Sequence, residues 1–122
     1  MWVVLHLYKQ GIMLCNVINN FLGQLAAKFP TTKFIRSIST TCIPNYPDAN
    51  LPTIFIYHEG AMKAQLVGPM SFRGTNMKLE ELEFMLGRTG AVPTEIKSDP
   101  RPKVKDVMMA KLGHNQDDSD SD

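Results

Sequence analysis

The side chains of this 122-residue chain that can do covalent or acid–base chemistry are few: two cysteines, three histidines, a run of glutamates and two serines near the end. Cys15 and Cys42 could close a disulfide only if folding brought their Cα atoms within about 7 Å. Two cysteines without regular spacing suit a reducing compartment better than a disulfide scaffold. Each thiol has two readings, a small apolar packing residue or a reactive nucleophile, and the second requires exposure and a lowered pKa. His6, His58 and His114 fall in a strand, a turn and the tail, with no metal-ligand spacing. No Gly-x-Ser-x-Gly elbow, phosphate loop or Gly-x-Gly-x-x-Gly turn occurs, and nothing suggests a Ser/His/Asp arrangement. Glu80, Glu81 and Glu83 read as a solvated helix face rather than a catalytic carboxylate pair. Ser119 and Ser121 stand among aspartates, as acidophilic kinases prefer, and modification would add about −1.5 to −2 charges at each. Unmodified, the same residues make an acidic solubilising tail.

The elements that must position these groups follow from periodicity. Residues 2 to 8 form a near-continuous apolar run, the pattern of a central strand covered on both faces. Gly11 turns the chain into a helix over about 12 to 28, with Leu14, Val17, Ile18, Phe21, Leu22 and Leu25 at spacings of three and four. Asn16, Asn19, Asn20 and Gln24 are left outside. Beyond Pro30, Lys33 to Ile38 is a second strand, and a strand, helix, strand crossover of this length places it parallel to the first. Ser39 to Asn50, with Pro44 and Pro47, favours turns and at most one helical turn. Thr53 to Tyr57 and Ala61 to Val67 read as a hairpin around His58-Glu59-Gly60. Asn76 is the expected N-cap of a helix over 77 to 87, with Leu79, Leu82, Met85 and Leu86 on one face and Gly87 or Gly90 closing it.

Composition limits the function classes. A chain this long holds one modest domain, and 43% hydrophobic with 20% charged residues is a globular composition. The net charge of +1 hides an uneven layout, because all 13 Lys and Arg lie at or before Lys111 while Asp117, Asp118, Asp120 and Asp122 crowd the end. The basic residues are scattered without interleaved aromatics, so a nucleic-acid partner is not expected. No apolar run approaches the roughly 20 residues that span a bilayer, so membrane insertion is not expected either. After Val92 the prolines and basic residues describe an extended arm over 93–112, within which Val104, Val107, Met108 and Leu112 could form a short helix. Residues 113–122 lack any apolar side chain and are expected to be disordered.

Several separated blocks carry a resemblance: Trp2-Val3-Val4-Leu5-His6-Leu7-Tyr8-Lys9-Gln10-Gly11, Lys33-Phe34-Ile35-Arg36-Ser37-Ile38, Thr41-Cys42-Ile43-Pro44-Asn45-Tyr46-Pro47-Asp48, Asn50-Leu51-Pro52-Thr53-Ile54-Phe55 and Glu80-Glu81-Leu82-Glu83-Phe84. Together they resemble the thioredoxin-like domain of the phosducin-like proteins over about residues 2 to 100. The resemblance implies an α/β fold, a thioredoxin-like mixed sheet with flanking helices, occupying residues 1–92 and lacking the first strand and helix of the complete domain. By that resemblance Pro52 is cis, and Ile12 stands where a thioredoxin carries its attacking cysteine, leaving Cys15 at the resolving position. Disulfide exchange needs an exposed thiolate at the helix start, which isoleucine cannot supply.

The implied activity is therefore non-enzymatic. A cytoplasmic co-chaperone or adaptor is expected, with the cytosolic chaperonin and its client proteins as partners, inhibitor-of-apoptosis proteins as further partners, and a link to caspase activation. No cofactor, metal or catalytic residue is implied. The competing expectations are a redox protein of thioredoxin or glutaredoxin type and a regulator that binds G protein βγ. Backbone beside Pro52 is a candidate for strand-like capture of a client segment. The resemblance further implies that the segment before Trp2 in complete relatives is missing, leaving an edge of the Lys33 to Ile38 strand unpaired, as in a truncated product, a fragment or a short isoform of reduced stability.

Overall fold

The structure is a computed structural model that describes residues 1–100. The expected short helix over 104–112, the acidic tail, and Ser119 and Ser121 lie outside the described residues.

Strand β1 (Trp2–Tyr8) is central. On one side it pairs in parallel with β2 (Lys33–Ile38), Val3 opposite Lys33 and Tyr8 opposite Ile38. On the other it pairs antiparallel with β3 (Thr53–His58), Trp2 opposite His58 and Leu7 opposite Thr53. Strand β4 (Ala61–Val67) completes the order β2-β1-β3-β4, with an irregularity between Ile56 and Tyr57. Glu59 and Gly60 make the hairpin turn, both at positive φ.

Helix α1 (Met13–Lys28) starts after Gly11 and buries Leu14, Ile18, Leu22 and Leu25 against Val4, Ile54 and Ile56 of the sheet. Val4 faces Ile56 directly in the β1–β3 register, so these strand residues share one face. Helix α3 (Leu79–Thr89) adds Leu82 and Leu86 to the same cluster. Both long helices thus cover one face of the sheet. On the opposite face Leu7 and Phe55 are buried with Cys15 and Leu51, while Leu5 and Tyr57 are only partly covered. Between β2 and β3 come a single helical turn, α2 (Ser39–Cys42), and a 3-10 turn at Asp48–Asn50.

Three readings from the sequence are corrected. Asn19 is not outside: it is half-buried, and its Oδ1 lies 2.7 Å from His6 Nδ1. Glu81 and Glu83 are not a solvated face; they are 8% and 2% exposed, and only Glu80 faces solvent. Glu83 accepts from Lys28 Nζ at 3.0 and 3.1 Å and from the Thr94 hydroxyl, so a carboxylate removed from water is paired and hydrogen-bonded. Finally, Lys78 rather than Asn76 is the N-cap, because Glu81 accepts the Lys78 backbone N–H at 2.8 Å while Met77, beside Asn76, is drawn into the core. Lysine has no acceptor with which to complete the reciprocal half of that capping box.

After α3, Gly90 adopts a left-handed conformation at φ 94°, closing the helix, and the chain returns as a strap over residues 91 to 99. The Thr32 hydroxyl donates to the Ala91 carbonyl at 2.6 Å, and Arg73 grips Asp99 through two bonds of 2.7 and 2.6 Å. Within α3, a Cβ added at Gly87 would sit 2.3 Å from the Thr94 methyl. Thr94 cannot swing aside freely, since its Oγ1 donates to Glu83 and accepts from the Ile96 N–H.

Two outcomes follow for stability. Gly87→Ala should gain about 1 kcal/mol of helix propensity in an isolated helix, yet in this protein it should destabilise by about 1–3 kcal/mol through overpacking; urea unfolding measures the sign. His6 is fully buried, and its pKa is lowered to about 4, chiefly by burial, with the Asn19 bond opposing and Arg36 adding to the lowering. The unfolded chain takes up a proton near pH 6.5 and the folded chain does not, so stability present above pH 6.5 is lost as pH falls toward 4, by about 3 kcal/mol from this group. A His6→Leu variant should lose that part of the pH dependence in urea unfolding between pH 4 and 7.5; equal slopes in the two proteins would refute the assignment.

Candidate functional site

Strand directions gather one end of the sheet. The C-terminal ends of β1, β2 and β4 and the start of β3 all lie there, because Leu7, Ser37 and Tyr8 pair toward Thr53 and Ile38, and Thr53 faces Val67. From this end emerge the entry to α1 at Ile12 and Met13, the α2 turn with Cys42 and Ile43, the Leu51-Pro52 step into β3, and Gly68-Pro69-Met70 after β4.

The Leu51–Pro52 peptide bond is cis, and Pro52 is fully buried. Gly68 donates its N–H to the Pro52 carbonyl at 3.0 Å, and Gly68 itself, at φ 84°, sits against the backbone of Ala49 and Asn50. The Leu51 N–H is bound to the Asp48 carbonyl at 3.0 Å. Thr53 Oγ1 donates to the Asn50 carbonyl and lies 2.8 Å from Tyr46 Oη, and Lys9 pairs with Asp48 at 2.6 Å. Two of the backbone groups that strand-like capture beside Pro52 would use are therefore already engaged within the chain.

Cys15 lies one turn into α1, fully buried against Leu7, Leu51 and Phe55. Burial pushes its thiol up, against a smaller opposing contribution from the Lys9 backbone. A thiol so placed is protonated and enclosed, the reverse of what an attacking group requires. Ile12 occupies the N-cap of α1, where the helix dipole could have stabilised a thiolate. Cys42 is exposed and free, and the two sulfurs form no disulfide. His6, His58 and the cysteines do not converge, and among the described residues no three His, Cys, Asp or Glu side chains gather as a metal site. No helix among the described residues is long and apolar enough to cross a membrane.

What the sequence reading missed is the apolar rim. Met13 is 67% exposed and Met70 95%, with Ile38, Ile43 and Val67 at 36–40%. Met13 falls within a helix, Ile43 within a turn and Ile38 and Val67 at strand ends, Met70 belongs to no element that periodicity marks, and only the topology places them at one end of the sheet. Exposed large apolar groups gathered around a rigid frame are the usual mark of a docking surface, and methionine adapts its shape to a partner.

The fold and this end of it define a thioredoxin-type domain that keeps the cis proline and lacks the paired thiols. A thioredoxin O2 from Arabidopsis thaliana in its oxidised state matches at a TM-score of 0.52 with 16% identity, over 72% of this chain and 74% of that one, which bears on the fold. The chain belongs to the phosducin family, whose model matches residues 1–119. It is 59% identical over 117 residues to phosducin-like protein 2 of Drosophila melanogaster, covering 96% of this chain and 49% of the relative. Phosducin-like protein 3 of Mus musculus is 53% identical over 112 residues, covering 92% and 47%. The chain spans about half the length of these curated relatives.

Thiol accessibility tests the site directly. With a thiol-exchange reagent at pH 7 under native conditions, exposed Cys42 should react in the folded protein and Cys15 only on unfolding. Rapid reaction of Cys15 in the folded protein would contradict its enclosure.

Proposed function

We propose that this chain is a non-enzymatic, protein-binding domain that acts as a cytoplasmic co-chaperone or adaptor of the phosducin-like class. The observation that carries the reading is the state of the sheet end beside Pro52: the position for an attacking thiol holds Ile12, the remaining thiol is buried and pushed up in pKa, and apolar side chains surround both. The start of α1 offers no attacking thiol, whereas docking has a surface. Because Leu51 N–H and the Pro52 carbonyl are internally bonded, the contact would draw chiefly on the apolar side chains around them. The partner class comes from the family resemblance: the cytosolic chaperonin and its client proteins, with inhibitor-of-apoptosis proteins and caspase activation as a further connection. The two free thiols suit a reducing compartment. A thioredoxin or glutaredoxin activity and a G protein βγ regulator are the alternatives, and no feature of the site favours either.

The test is a pair of measurements on the purified chain. Insulin reduction by dithiothreitol should proceed no faster in its presence, and measurable turnover would install the redox alternative. Affinity capture should retain chaperonin subunits, and a double Met13→Asp, Met70→Asp variant should reduce that retention at least tenfold while melting at the same temperature. Failure of the unaltered chain to retain chaperonin, or undiminished retention by the variant, would overturn the co-chaperone reading or its docking surface respectively.

A further inference from the structure

At the opposite side of the domain from α2, the last turns of α3 and the strap that follows enclose a groove of about 290 Å³. Phe84, Val92, Pro93 and Ile96 give it apolar walls, and Arg88 and Lys97 place two cations on its lining. The Arg88 guanidinium lies over the Phe84 ring, 5.8 Å from its centre, within reach of a cation–π contact. Neither Arg88 nor Lys97 has a carboxylate partner among the described residues. The nearest buried acid, Glu83, is consumed by Lys28 and the Thr94 hydroxyl, and Glu95 on the strap is not part of the lining. The groove is thus an open recess with apolar walls and two cations on its lining.

We propose that the occupant of this groove is the chain's own acidic stretch, Asp117-Asp118-Ser119-Asp120-Ser121-Asp122. Charge selects it, since four aspartates crowd that stretch while every Lys and Arg lies at or before Lys111. Reach permits it: Asp117 follows Lys97 by 20 positions (117 − 97), a contour of roughly 70 Å, which returns easily over α3. Tethering makes a weak contact sufficient, because a short linker holds its end at an effective concentration in the millimolar range. The aspartates meet Arg88 and Lys97 at the rim, where the contact is electrostatic and screened by salt. Ser119, with acids at the first and third positions after it, is then a phosphorylation site that strengthens the contact by about −1.5 to −2 charges.

The experiment is amide chemical-shift mapping of the full-length chain at about 20 mM and about 500 mM salt, conditions that bracket a Debye length from longer than 10 Å to shorter. A variant with Asp117, Asp118, Asp120 and Asp122 changed to Asn supplies the comparison. At low salt the variant should differ from the unaltered chain at Arg88 and across Val92 to Lys97. High salt should move the same amides of the unaltered chain toward the variant's positions. An Arg88→Gln, Lys97→Gln variant should abolish the salt-dependent movement, and phosphorylation of Ser119 should raise the salt needed for it. Spectra of the neutralised and unaltered chains that coincide at α3 and the strap, or differences confined to other surfaces, would overturn the proposal.

Discussion

The antiparallel register of β1 against β3 is the constraint on which the rest depends. It sets Val4 against Ile56 and His6 against Ile54, and so creates one continuous apolar face on which both α1 and α3 lie. A slip of β3 by one residue against β1 would bring Phe55 and Tyr57 to the helix side in place of Ile54 and Ile56. The same register fixes where Thr53 begins its strand, next to Leu7, and hence where Pro52 sits relative to the entry of α1. The fold and the candidate site are two consequences of a single pairing.

Much of this was legible because the decisive signals are local. The apolar run Trp2 to Tyr8, the three-and-four spacing from Leu14 to Leu25, and the alternation from Ala61 to Val67 each report the face that a strand or helix buries. The misread residues are those whose environment comes from far away in the chain. Glu83 looks like any acid on a polar helix face until Lys28, 55 positions earlier, and Thr94 close over it. Asn19 looks exposed by the wheel, but its partner His6 belongs to a strand that periodicity cannot place beside it. Asn76 has the better capping chemistry, and lost to the burial of Met77, a tertiary demand that outweighs a cap of about 1 kcal/mol.

The candidate site was partly legible for the same reason. Residue identity at positions 12, 15 and 52 is enough to compare with a dithiol pattern, but whether a lone cysteine is poised or packed depends on what covers it. Leu7, Leu51 and Phe55 decide that for Cys15. The apolar rim could not be read at all, since Met13, Ile43 and Met70 are separated by tens of residues and become neighbours of one sheet end only through strand direction. The engaged Leu51 N–H was equally invisible, because the bond to Asp48 depends on a 3-10 turn that the Pro47-Asp48 composition suggests only as some turn.

Polar contacts and apolar exposure are distributed in opposite directions along α1, and this distribution suits a docking protein. His6 binds Asn19 midway along the helix, Lys28 binds Glu83 at its end, and Thr32 binds the Ala91 carbonyl just beyond. With Asn19 Oδ1 accepting, the proton of the neutral ring sits on Nδ1, and burial, against that bond, keeps His6 neutral. Directional bonds of this kind specify one arrangement of helix against sheet and strap, since their buried partners are costly to leave unpaired. At the other end Ile12 and Met13 make no side-chain hydrogen bond among the described residues, and contacts there are non-directional. The helix is thereby fixed by polar bonds in its middle and C-terminal half and by the burial of Leu14 and Cys15 at its entry, where Met13 is left exposed to adapt to an apolar surface.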